Sequence, residues 1–246
     1  MKKVNNFFSL LLIFGGWKLL TLFFSPLVVP TISSVLQELF KITVTAGLYK
    51  MAAITTGRLV LGLAAGVAIG LILGILMGYF SHFKDVIVPI IGIMQTMPPV
   101  SWVVLALVWF GFNGKPAIFI VITSAIPIIA INIYEGITRI DGHLLQMAQL
   151  YRFSGQKRLR HVILPSIAPY FKSAFRVALG SGWKTAIMGE VLTTSDGIGG
   201  MIKLARLNVE SESIIAWSVI AVLLFYASDF LISRVIFRRE RNHADS

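Results

Sequence analysis

Seven ionisable side chains, Lys18, Lys172, Arg176, Lys184, Glu190, Asp229 and Arg234, stand inside stretches of this chain that are otherwise apolar. At the centre of a bilayer each would cost at least ~2.5 kcal/mol unless paired or hydrated, so each needs a partner or a watery path. Counting ~1.5 Å of helix rise per residue from the inner ends, Arg176 and Asp229 come to the same inner-half depth, which predicts an ion pair. The same count puts Glu190 and Arg58 near the outer surface as a second candidate pair. Lys184 lies deep beside Trp183, with no carboxylate at its depth. Two roles fit it: a structural one, bonded to helix carbonyls or to Glu190, or a cation in a translocation path suited to an anionic solute.

Other chemistry is missing from the sequence. No G-x-x-x-x-G-K-[ST] loop occurs, because Gly111-Phe112-Asn113-Gly114-Lys115 is too short and is followed by Pro116. Nucleotide must therefore be handled elsewhere. His82, His143, His161 and His243 are scattered without metal-ligand spacing, so no metal site is expected. There is no cysteine, hence neither a thiol nucleophile nor a disulfide framework, and no nucleophile–base pairing is visible. The chain is expected to bind no cofactor and to be no enzyme.

These side chains have to be positioned by helices in lipid. The 246 residues are 56% hydrophobic and 13% charged, with a mean hydropathy of +0.81, which lies outside the range of soluble domains. A hydrocarbon core of ~30 Å takes about 20 apolar residues in helical form, since lipid offers no partner to an open backbone group. Leu59 to Phe80 and Pro116 to Tyr134 are uncharged, and Val86 to Gly114 is uncharged but broken by Pro98-Pro99. With the charged runs at 7–24, 167–191 and 213–237, six spans are expected: 7–24, 59–80, 86–110, 116–134, 167–191 and 213–237. The first run also has the look of a signal peptide after Met1-Lys2-Lys3, but no small-x-small cleavage site follows it.

Charge sets the orientation. With both termini cytoplasmic, the inner segments 1–6, 81–85, 135–168 and 238–246 hold 11 Lys and Arg, and the outer segments 25–56, 111–115 and 192–212 hold five. That bias favours both termini inside. The net charge of +11 sits in membrane-flanking loops, where anionic lipid and insertion bias account for it. No nucleic-acid partner is needed.

Several organising features stand out along the chain. Between the first two spans, Ile32 to Phe40 reads as an amphipathic helix on the outer face. In span two, Gly62, Gly66, Gly70, Gly74 and Gly78 recur at four-residue spacing and make one bare face on which another helix can approach closely. That face is either a fixed packing surface or one that repacks during transport. Pro98-Pro99 removes two backbone donors in span three. A broken helix at membrane depth is tolerated beside protein or a water-filled cavity, which makes Met97, Pro98 and Trp102 candidate path-lining residues, together with Trp183, Lys184 and Glu190 of span five. In the loop 135–166, Asp141-Gly142 supplies a helix start, and Leu144, Met147, Ala148 and Tyr151 recur at i, i+3, i+4, i+7 in a short helix ending before Gly155. A basic stretch, Lys157, Arg158 and Arg160, follows. The helix either lies on the lipid interface or presents its stripe to a protein partner.

At this loop the sequence resembles the permeases of binding-protein-dependent ABC importers, in particular the sulfonate, taurine, nitrate and bicarbonate group. That family's cytoplasmic signature runs Glu-Ala-Ala, three residues, Gly, nine residues, Ile-x-Leu-Pro. Here the register gives Gln146-Met147-Ala148, Arg152 and Val162-Ile163-Leu164-Pro165. Met97-Pro98-Pro99 with Leu107-Val108-Trp109-Phe110-Gly111 is similar to the family's third span, and Gly189-Glu190 with Gly197-Ile198-Gly199 to its fifth span and following turn. Gln146 and Arg152 depart from the signature, which leaves a carboxylate and a flexible position unfilled.

The resemblance implies an all-α polytopic permease in a bacterial-type inner membrane, with a cytoplasmic coupling helix between spans four and five. That coupling loop is carried by Gln146, Met147, Ala148, Tyr151, Arg152, Gly155, Leu164 and Pro165. It implies a homodimer with the path between protomers, two cytoplasmic ATPase subunits that hold ATP and Mg, and an extracytoplasmic solute-binding protein. A small anionic solute would cross by alternating access. The contrasting expectations are an ATP-independent channel or secondary transporter, which would need an ion-coupling site, and a membrane enzyme, which would need clustered carboxylates or histidines.

Overall fold

A computed structural model describes residues 2–45 and 47–237. The expected basic C-terminus (238–246), with His243, lies outside the described residues. All regular structure in the described chain is helical: α1 Lys2–Phe23, α2 Ile32–Val44, α3 Gly47–Tyr79, α4 Ser81–Thr96, α5 Pro99–Phe110, α6 Lys115–Thr138, α7 Gly142–Leu150, α8 Gly155–Arg158, a π turn over Leu159–Ile163, α9 Leu164–Thr193, α10 Gly197–Leu207 and α11 Ser211–Phe237. Three helices, Gly47–Tyr79, Lys115–Thr138 and Ser211–Arg234, are long and apolar enough to cross a membrane, and α4 with α5, bent by 98° at their break, passes the same test when the two are taken together as one broken span. Their outward faces carry Leu61, Ile72, Val108 and Leu223, all more than half exposed. Such a surface suits hydrocarbon rather than water.

The centre of the fold is the α3–α6 pair. A methyl group built on Gly62, Gly66, Gly70, Gly74 or Gly78 would fall 2.6–2.8 Å from Val121, Ala125, Ile129, Ala130 and Ile133 or Ile137. No real Cβ sits so close, so only glycine lets the two backbones meet here. Residue numbers rise together along both helices, from Gly62 beside Val121 to Gly78 beside Ile137. The helices therefore run parallel, and the chain between them must return over the length of α3. Those 16 residues from Gly62 to Gly78 correspond to roughly 24 Å of rise. The bent α4–α5 pair makes that return.

Helix α9 runs back against α6. Gly136 of α6 meets the Tyr170 ring near the start of α9, and Gly189 near its end meets Ala117 at the start of α6. One end of the bundle thus gathers the start of α3, the start of α6, the end of α9 and all of α10. The opposite end holds the end of α6, the α7–π segment and the start of α9. Helix α2 seats on the first end, where Ser213 of α11 donates to Glu38 at 3.2 Å and Trp17 of α1 donates to the Pro30 carbonyl at 2.9 Å.

Two elements differ most from the sequence reading. Helix α3 starts at Gly47 rather than near Leu59: Lys50, Thr55 and Thr56 are too polar to count as a span, but the helix continues because Thr55 finds buried partners across the fold. The outer segment after span five, read as a turn, contains the 11-residue α10.

Candidate functional site

At the end of the bundle marked by α10, Glu190 is fully buried and fully satisfied. Its Oε1 accepts from Arg58 Nη1 at 2.8 Å. Its Oε2 accepts from Thr55 Oγ1 at 2.8 Å and from the Gly199 backbone N–H at 3.0 Å. Thr55 Oγ1 in turn accepts from the Ile198 N–H at 2.8 Å, and Arg58 Nη2 reaches Asp196 Oδ1 at 2.8 Å. Burial pushes the Asp196 carboxyl up, but the Arg58 hydrogen bond and charge outweigh it and leave it below the ordinary aspartate value. Gly197 is required twice over: its φ is +75°, and a Cβ there would fall 2.5 Å from Glu190 Oε1. The network clamps α3, α9 and α10 together. The expected Arg58–Glu190 pair forms, and Thr55 and Asp196 join it, which depth counting along single helices had no means to find.

The second expected pair also forms. Arg176 Nε donates to Asp229 Oδ1 at 2.8 Å and Nη2 to Oδ2 at 2.7 Å, a two-pronged geometry specific to guanidinium and carboxylate. Trp183 is buried, and its Nε1 donates to Ser228 Oγ at 3.0 Å. It ties α9 to α11. Lys184 is exposed and borders a groove of about 230 Å³ between α9 and α11 with Gly180, Trp183, Ala221, Val222 and Phe225. Glu190 spends its oxygens on other donors, and Lys184 has no hydrogen bond or ion pair among the described residues.

The Pro98-Pro99 break opens onto a separate cavity of about 330 Å³, walled by Met94, Gln95, Met97, Pro99 and Trp102 from the broken span, by residues of α6 including Ser124, and by Ser181 and Thr185 of α9. Pro98 itself is the N-cap of α5, in extended geometry at φ −58° and ψ 136°, and makes no side-chain cap. Of the six path candidates, Met97 and Trp102 meet at this cavity, and Pro98 is not among the residues that line it. Lys184 lies on the neighbouring α9–α11 groove, and Trp183 and Glu190 are packed into the helix framework. Ser181, Thr185 and Gln95 were missed by sequence reading; the i, i+4 spacing of Ser181 and Thr185 was the signal available.

The loop between α6 and α9 holds the short helix α7. Asp141 caps its start, accepting from the His143 N–H at 2.8 Å. Its end is a Schellman motif: the Phe153 N–H bonds to the Ala148 carbonyl at 2.9 Å and the Arg152 N–H to the Gln149 carbonyl at 2.9 Å, with Arg152 at φ +50°. That left-handed position ordinarily takes glycine, which is the signature residue that Arg152 replaces. Ala148 is buried, while Met147 and Tyr151 are 44% and 69% exposed and Leu150 is 82% exposed, so the stripe divides into one residue facing the fold and several facing away. Gln146 is exposed on the same helix. Gly155 opens α8 behind the Ser154 cap, and Leu164-Pro165 begin α9.

Comparison with known proteins decides the family. The profile described as "binding-protein-dependent transport system inner membrane component" matches residues 66–241. The chain belongs to that family. It is the membrane-embedded permease component of an ABC importer. The permease is 31% identical over 202 residues to a putative aliphatic sulfonates transport permease, SsuC, of Escherichia coli, covering 82% of this chain and 77% of that one. It is 28% identical over 216 residues to the E. coli taurine transport system permease TauC, covering 85% and 78%. Among solved structures, an inward-facing MetNI methionine ABC transporter chain superposes with a TM-score of 0.65 at 19% identity, over 75% of this chain and 92% of that one. This last likeness concerns the fold.

Proposed function

We propose that six helices of this permease, α1, α3, the bent α4–α5 pair, α6, α9 and α11, cross the inner membrane with both termini cytoplasmic. Two copies enclose the path, and α7 seats in a cleft of a cytoplasmic ATPase. The observation that carries this reading is the parallel run of α3 beside α6. It supports a full crossing by the broken span between them, with α7 at the end of the bundle away from the Glu190 network. There Met147, Leu150 and Tyr151 offer apolar surface to a partner. ATP and Mg belong to the ATPase, whose closure would move α7 and rock the two permeases from inward-open to outward-open.

An extracytoplasmic binding protein would deliver the solute to the α2 and α10 side. The relatives are named for sulfonates, taurine, bicarbonate and nitrate, which makes a small anion the solute class. Lys184, one turn from Ser181 and without a counter-charge among the described residues, is the cation this reading places on the path. Lys184→Met is expected to stop uptake while the complex still assembles; normal uptake would remove it from the mechanism. The assembly is tested by extracting the permease from its native membrane in mild detergent and measuring co-purifying chains and their stoichiometry by mass spectrometry. One P-loop ATPase per permease is expected. A pure oligomer of this chain, active in liposomes without ATP, would overturn the proposal.

A further inference from the structure

Three hydrogen-bonding side chains that have no partner among the described residues line the cavity at the Pro98-Pro99 break: Gln95 at the end of α4, Trp102 in the first turn of α5 and Ser181 on α9. The Trp102 Nε1–H is buried and unsatisfied, although its ring is held edge-on against Phe119 with centroids 6.1 Å apart. Buried donors in folded proteins nearly always have partners, and an orphan calls for an explanation. Every other lining residue is apolar or spends its hydroxyl proton locally: Ser124 donates to the Val121 carbonyl at 2.9 Å and Thr185 to the Ser181 carbonyl at 3.1 Å. None of the lining residues is ionisable.

From this convergence we infer that the cavity is a solute subsite for a compact oxoanion head bearing a small apolar group, as in a short alkanesulfonate. The inference rests on the anion-importing reading given above. The indole N–H is a donor only, the Gln95 amide supplies two N–H groups and Ser181 a rotatable hydroxyl, so the unpartnered set leans toward donation. The start of α5, which no side chain caps, adds the positive end of a helix dipole at the cavity wall. Met94, Met97 and Ile128 supply apolar surface for the rest of the solute. The lack of a cation in the cavity suits transport. A resting site on a path must bind well enough to admit the solute and weakly enough to release it, and neutral donors meet both needs.

The test uses the complete importer, permease with its ATPase and binding protein, in liposomes, with labelled ethanesulfonate, nitrate and bicarbonate as probes. The readout is solute moved per ATP hydrolysed. Trp102→Phe keeps an aromatic ring facing Phe119 but removes the N–H along with part of the indole; solute per ATP is expected to fall roughly tenfold, the loss typical of one hydrogen bond to a charged group. Ser181→Asp places a carboxylate in the cavity and is expected to stop anion uptake, while Ser181→Asn retains it. Gln95→Leu gives an independent loss from the opposite wall. Wild-type ratios in Trp102→Phe, Ser181→Asp and Gln95→Leu would overturn the subsite while leaving the importer reading intact. A wild-type complex that moves none of the three anions would overturn the anion reading itself, and this subsite with it.

Discussion

Replacing Glu190 with methionine removes a carboxylate that three groups depend on. Arg58, whose side chain is only 12% exposed, keeps Asp196 as a partner. Thr55, which is fully buried, and the Gly199 N–H lose their acceptor. Removing one member of a buried ion pair costs about 3–5 kcal/mol, and the surviving Asp196 contact argues for the lower end. Two orphaned donors add about 1 kcal/mol each, for about 5 kcal/mol in all. At ~2–4 °C per kcal/mol for a chain of this length, the unfolding midpoint should fall by about 10–20 °C. Arg58→Met leaves the carboxylate without a cation at a comparable cost. The double variant Arg58→Met/Glu190→Met removes both charges and should be more stable than either single one, losing about 2 kcal/mol for Thr55 and Gly199. The assay is helical circular dichroism during heating of the purified permease in mild detergent. Strictly additive losses in the three variants would mean that the pair is not coupled, and the clamp argument would fail.

Three further outcomes are expected. Gly70→Ala would set a Cβ 2.8 Å from Ile129 Cβ and 3.0 Å from the Ile126 carbonyl, and the overpacking should cost about 1–3 kcal/mol in the same melting assay; Gly57→Ala, which meets nothing within 4 Å, should melt no lower than the parent, since alanine favours the helix. Neutralising Arg176 or Asp229 alone should reduce the yield of folded permease and its uptake, and the exchanged pair Arg176→Asp/Asp229→Arg should recover both; no recovery would argue against the two-pronged pair as the cause. Arg152→Gly should relieve about 1 kcal/mol of left-handed backbone strain, seen as slower amide exchange at the end of α7. Combined with Gln146→Glu it should alter ATPase affinity and turnover, and unchanged values for both would show that the partner surface is not adapted to Gln146 and Arg152.

Both ion pairs were legible in the sequence because helix rise is constant: position along a span converts directly to depth, and charges in lipid must meet at equal depth. The glycine stripe was legible for a similar reason, since four-residue spacing marks one face of one helix. Thr55 carried no such signal. As a polar residue it argued against helix continuation, and its carboxylate partner lies 135 residues away. Arg152 showed only as a departure from a signature; that it occupies a left-handed backbone position followed from the α7 cap geometry.

Composition and local periodicity therefore determined that this chain is helical and membrane-embedded, where its third span breaks, which helix face is bare, and which charges need partners. These are properties of one helix at a time, written by side-chain polarity against a 3.6-residue repeat. Only the tertiary structure decided that α3 and α6 run parallel, that Glu190 and Trp183 belong to the framework, that Lys184 borders a groove apart from the broken span, and that Gln95, Trp102 and Ser181 converge on one cavity. Those facts depend on how helix faces rotate and cross in three dimensions, which packing across the whole bundle sets and no single segment encodes.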